Sequence, residues 1–151
     1  MRALLTVLLM VFIGGCKHQT KNQTNDRLPI NGTWELVSAT TIQGDSSYQK
    51  DLSNKRMIKI INESHFAFLN HDLNKGQDSL KSFVAGGGSY KLVEDKYTEF
   101  LEYCNYREWE ENTFEFTLEL KGDTLVQKGI EEIKELGVDQ RIIEVYIRTE
   151  K

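Results

Sequence analysis

Proline occurs once in this chain, at Pro29, and cysteine twice, at Cys16 and Cys104. So few thiols exclude a disulfide-stapled scaffold and leave stability to an ordinary core. Positive charge is also short: 19 Lys and Arg face 23 Asp and Glu, a formal charge of -4, which argues against nucleic-acid binding. No apolar run approaches the roughly 20 residues of a membrane-spanning helix, and no sustained 3.6-residue periodicity appears. Nucleotide-binding spacing is missing, because Gly86, Gly87 and Gly88 neither follow the phosphate-loop pattern nor open a helix. They fit a bulge or bend in a curved sheet instead. Nucleophile and base arrangements and close His or Cys pairs are absent too, so the sequence implies no cofactor and no metal. His65 and His71, six residues apart, and Asp72 give only a faint metal signal beside the default of exposed or hydrogen-bonded histidines.

What is present begins at the N-terminus. Arg2 precedes an apolar run from Ala3 to Ile13 that stops at Gly14, Gly15 and Cys16. The run is too short to span a bilayer and ends in small residues, the pattern of a removable signal. Ile13 to Cys16 resembles the lipobox of bacterial lipoproteins. On that resemblance residues 1–15 are a lipoprotein signal peptide, Cys16 is the lipidation site, and the mature chain is attached to a membrane through its N-terminal lipid. The expected address is the cell membrane or the outer membrane, facing the periplasm, and by the same resemblance Lys17 after Cys16 implies passage to the outer membrane. Residues 16–30 read as a flexible tether, because KHQTKNQTNDRL has no aromatic residue and little apolar surface to offset the entropy of ordering. Residues 31–151 suit one domain.

In that domain, short runs rich in β-branched and aromatic residues alternate with Gly, Asn, Asp and Ser. About eight strands are predicted: Thr33 to Thr40, Lys55 to Asn62, His65 to Asn70, Phe83 to Val93, Lys96 to Cys104, Thr113 to Leu120, Thr124 to Gly129 and Arg141 to Thr149. Phe114, Phe116, Leu118 and Leu120 alternate with Glu115, Thr117 and Glu119, one face core and one face water. Glu63 and Ser64, Glu94 and Asp95, and Gly122 and Asp123 fit tight hairpin turns. The fold class is therefore all-β, and closing a small antiparallel up-and-down barrel removes exposed edges. Ile130, Ile133 and Leu136, ending at Gly137, fit either a helical turn across one barrel end or a long hairpin loop.

GTWELVSATT at Gly32 to Thr41 is similar to the opening strand of lipocalins and other calycin-superfamily barrels. EVYIRTEK at Glu144 to Lys151 resembles their last strand, whose late arginine packs across that tryptophan. With KRMIKIINESHFAF, GGGSYKL and KYTEFLEYC between them, the order resembles small lipocalin-like lipoproteins of Bacteroidota. The resemblance implies a structural clasp of Gly32, Trp34 and Arg148. A guanidinium over an indole face is a favourable contact in its own right; the alternative has Arg148 pointing inward to an anionic ligand.

A two-residue turn at Glu94 and Asp95 pairs Val93 with Lys96 and Tyr90 with Glu99. Tyr90, Leu92, Tyr97, Glu99, Leu101 and Tyr103 then share the more aromatic face, the expected barrel interior. A carboxylate there needs partners, with tyrosine hydroxyls the nearest candidates. Tyr90, Tyr97, Glu99, Leu101 and Tyr103 are the candidate ligand-binding residues, or else a satisfied cluster that only specifies the fold. Trp109, in the acidic and aromatic loop Tyr103 to Glu111, joins them as a residue packed over the mouth, a lid or a partner contact. Cys104 reads as a small half-buried hydrophobe. The sequons at Asn22, Asn31 and Asn62 read as chance matches in a bacterial chain. The expected function is a membrane-anchored binding protein for a small, partly apolar molecule. The alternatives are a solid-barrel envelope scaffold meeting a protein partner, and a barrel-cavity enzyme using Glu99.

Overall fold

The computed structural model describes residues 28–149 apart from Asp78 and Leu80. The signal segment 1–15, the lipidation site Cys16 and all but the end of the tether lie outside the described residues. Among the described residues there are nine strands: β1 (Gly32–Gln43), β2 (Ser46–Gln49), β3 (Lys55–Ile61), β4 (His65–Asp72), β5 (Phe83–Val93), β6 (Lys96–Cys104), β7 (Asn112–Lys121), β8 (Thr124–Ile133) and β9 (Val138–Arg148).

Eight of them close an antiparallel barrel. β1 pairs with β3, each strand from β3 onward pairs with its successor, and β9 returns to β1. The remaining strand, β2, has no counterpart in the sequence reading, because SSYQ is exposed throughout and carries no alternation to detect. It fills a vacancy: β3 pairs only with Gly32 to Glu35, and β2 folds back on Thr40 to Gln43, where β3 has diverged.

Local chemistry sets the registers. The turn at Glu94 and Asp95 aligns Val93 with Lys96 and Tyr90 with Glu99, and the turn at Gly122 and Asp123 aligns Lys121 with Thr124. Residues 130–137 are a hairpin. β8 runs on to Ile133, a single 3-10 turn spans Lys134–Leu136, and Gly137 at φ 65° in the left-handed region starts the return.

Two bulges change which face the side chains take. In β1 the pairing with β9 shifts between Leu36 and Ser38, so Trp34, Leu36, Ala39 and Thr41 all point inward while Val37 is exposed. In β5 and β6 it shifts between Gly87 and Gly88, which face Tyr103 and Leu101 and leave Glu102 as the extra residue. Glycine is needed there because a Cβ on Gly88 would overlap the Phe100 carbonyl oxygen. The Glu102 carboxylate secures the bulge, accepting from Ser89 N at 2.9 Å and Ser89 Oγ at 2.6 Å, bonds that hold its pKa below the usual carboxylate value. The inward set of β6 is consequently Tyr97, Glu99, Leu101 and Cys104. Tyr103, expected inside by unbroken alternation, is 67% exposed on the outer wall.

The barrel is solid at one end and hollow at the other. The tight turns after β3, β5 and β7 cluster at the end where Trp34, Ile61, Phe66, Tyr97, Leu125 and Tyr146 pack together, all almost fully buried. The longer connections after β2, β4 and β6 surround the opposite end. Every core side chain among the described residues falls between Ile30 and Tyr146.

Candidate functional site

A cavity of about 510 Å³ occupies the hollow end. Met57 and Phe68 come from β3 and β4, Val84 from β5, Leu101 and Cys104 from β6, and Phe116 from β7, giving one apolar wall. Trp109 extends it over the mouth: a 3-10 turn at Arg107–Trp109 carries the indole to within 6.1 Å, centroid to centroid, of Phe114. The facing wall, from β8 and β9, is polar, with Gln127, Glu131, Gln140 and Glu144.

The floor is charged. Lys59 Nζ donates to Glu99 Oε1 at 2.8 Å and to Gln127 Oε1 at 2.8 Å. Lys59, Glu99 and Gln127 are respectively 2%, 7% and 1% exposed, so this ion pair is almost wholly removed from water. The ammonium also lies 5.4 to 6.0 Å from the ring centroids of Phe66, Tyr97 and Tyr146, where aromatic faces offset part of its lost hydration. Tyr146 OH in turn donates to Glu144 Oε2 at 2.6 Å. Burial first, then the neighbouring Glu144 charge, pushes the Tyr146 phenol well above its ordinary value, so it remains a donor.

Higher on the polar wall, Glu131 Oε2 accepts from Gln140 Nε2 at 2.6 Å. Burial raises the Glu131 carboxyl pKa, the Gln140 bond opposes that, and Glu144 adds to the rise. Across the cavity, Asn70 Oδ1 is buried and has no hydrogen-bond partner among the described residues.

The six candidate residues separate into three places. Glu99, Leu101 and Trp109 line the cavity. Tyr90 and Tyr97 sit below the floor, with ring centroids 5.1 Å apart and Tyr90 OH donating to the Asn62 carbonyl at 2.8 Å. Tyr103 is outside. Glu99 pairs with the ammonium of Lys59, a partner the sequence reading did not name. Cys104 is buried and borders the cavity.

Arg148 is at the solid end and does not line the cavity. Its Cζ lies 4.1 Å from the Trp34 ring centroid, and its Nη1 and Nη2 donate to the carbonyls of Asn31 at 2.6 Å and Pro29 at 2.9 Å. Trp34 Nε1 donates to the Ile30 carbonyl at 2.8 Å, so the two side chains pin the entering chain against the barrel base. Gly32, at φ 141°, leaves room: a Cβ there would strike the Arg148 guanidinium.

No protein-family model matches this chain, and no curated protein matches it either. Among the described residues no group of three or more His, Cys, Asp or Glu is gathered closely enough to hold a metal. His65 and His71 are exposed on β4, and Asp72 accepts backbone N–H bonds from Gly76 and Ser82, which order the β4–β5 loop.

Sequence reasoning missed Lys59, Gln127, Glu131, Gln140 and Glu144. A signal existed for Lys59: with Glu63 and Ser64 in the turn, the hairpin register sets it opposite Phe68, on the face shared by Ile61 and Phe66. For Glu144 the pattern misleads, because the outward neighbours Ile143, Val145 and Ile147 are more apolar than the inward residue.

Proposed function

We propose that this chain is a receptor for a small, partly apolar molecule, a lipocalin-like lipoprotein held at a bacterial membrane by lipid on Cys16 and facing the periplasm. The observation that carries the reading is the cavity: about 510 Å³, open at one end, with an apolar wall and a few convergent polar groups. Small-molecule sites have this size and makeup, roughly 300–1,000 Å³. The closed eight-stranded barrel is consistent with a calycin-like fold, and the run from Ala3 to Cys16 supports the tether. Catalysis by Glu99 is no part of the proposal, since its carboxylate is engaged by Lys59.

A second reading, docking of a protein partner, draws on Phe83 and Tyr103, which are 59% and 67% exposed on the outer wall. The native mass of residues 28–151, purified gently as the lipid-free body, separates the two. A reproducible extra mass that disappears on denaturation supports the receptor. A bare mass, unchanged after incubation with envelope extract, favours the partner-docking barrel.

A further inference from the structure

We propose that the cavity selects a molecule with an apolar body and a protonated amine at its polar end. The inference rests on the receptor reading and names the class of its ligand. Six charged side chains line the cavity: Lys50, Lys59, Glu99, Glu108, Glu131 and Glu144. The deep cation, Lys59, is committed to Glu99 and Gln127. The other cation, Lys50, is exposed, and its charge acts on Glu131 less than that of Glu144 does. Neither Glu131 nor Glu144 makes a salt bridge among the described residues; each takes one bond from a neutral donor, Gln140 or Tyr146. Their second carboxylate oxygens accept nothing further there.

An independent observation points the same way. Asn70 Oδ1, buried in another part of the cavity lining, also has no donor. A buried acceptor without a donor, together with two carboxylates that form no salt bridge among the described residues, favours an occupant that brings N–H groups and positive charge. An anionic amphiphile meets the opposite situation. Its carboxylate would have to break the Lys59 and Glu99 bond or stand beside Glu131 and Glu144. The apolar wall then accepts the body of the amine, with Trp109 over the mouth.

Three probes of one chain length decide this: octylammonium, octanol and octanoate, titrated calorimetrically at neutral pH into residues 28–151, the segment that carries every core side chain among the described residues. The proposal expects octylammonium to bind at least tenfold more tightly than octanol, and octanoate more weakly than both. Glu144→Gln should remove most of the preference for the amine over octanol. Glu131→Gln, at a partly buried position nearer the mouth, should weaken the amine severalfold on its own. Equal binding of amine and alcohol, or tightest binding of octanoate, overturns the amine assignment while the receptor reading stands. Binding of none of the three removes the receptor reading and this inference together.

Discussion

Lys59 and Glu99, 40 residues apart in sequence, meet inside the barrel at 2.8 Å with side chains only 3% and 9% exposed. Their layer divides the molecule. Below it the barrel is filled by side chains, and above it lies the cavity. A pair this dry is costly to assemble and more costly to break, since either partner left alone is an uncompensated buried charge. Lys59→Met should therefore lower stability by about 3–5 kcal/mol, while Lys59→Met with Glu99→Leu should recover most of the loss. Urea denaturation of the single and double variants measures both. If the two singles sum to the double, the pair is not coupled as described.

The base clasp predicts a smaller, local effect. Arg148→Ala removes the stacked guanidinium and its two bonds to the Asn31 and Pro29 carbonyls. A loss of about 2–3 kcal/mol is expected, with Arg148→Lys restoring only part because an ammonium cannot stack and fork at once. Thermal unfolding reads the size. Hydrogen exchange should show faster opening of residues 28–36 and little change around the cavity.

Much of the fold was legible because local rules and global closure agree. β7 announces itself through Phe114, Phe116 and Leu118, and the turn at Glu94 and Asp95 fixes the β5–β6 register without tertiary information. The bulge at Gly87 and Gly88 was readable as a bend, but its effect on side-chain parity was not, and so Tyr103 was expected on the wrong face. Lys59 was hidden for a different reason. KRMIKII is apolar on both faces, and a lysine is normally assigned to water. Only closure of the ring brings Lys59, Glu99 and Gln127, from β3, β6 and β8, into one layer.

The bulge is testable by itself. Gly88→Ala forces a Cβ onto the Phe100 carbonyl and should cost at least about 2 kcal/mol. Gly44→Asn, at a turn position with φ 55° and no atom within 4 Å of the added Cβ, should change stability by less than about 0.5 kcal/mol. Comparable losses at both positions would mean that the close approach at Gly88 is not what requires glycine.

Glu131 links stability to pH. Burial lifts its folded pKa above the unfolded value of about 4.3, so the folded state binds the proton more tightly. The resulting stabilisation is complete below the unfolded value and is lost as pH rises through the folded one. Glu131→Gln keeps a neutral side chain at every pH. Its melting temperature relative to the native sequence should therefore climb as pH rises above about 4. A flat difference as pH rises would mean the carboxyl titrates normally in the folded barrel.

The claim that the upper half of the barrel is a binding cavity is tested most directly with N-phenyl-1-naphthylamine, a neutral apolar fluorophore, titrated into residues 28–151. The account predicts saturable enhancement at one molecule per barrel, weakened severalfold by Trp109→Ala at the mouth and unaffected by Tyr103→Ala on the outer wall. A signal that rises without saturation, or one abolished by Tyr103→Ala and indifferent to Trp109, would contradict it.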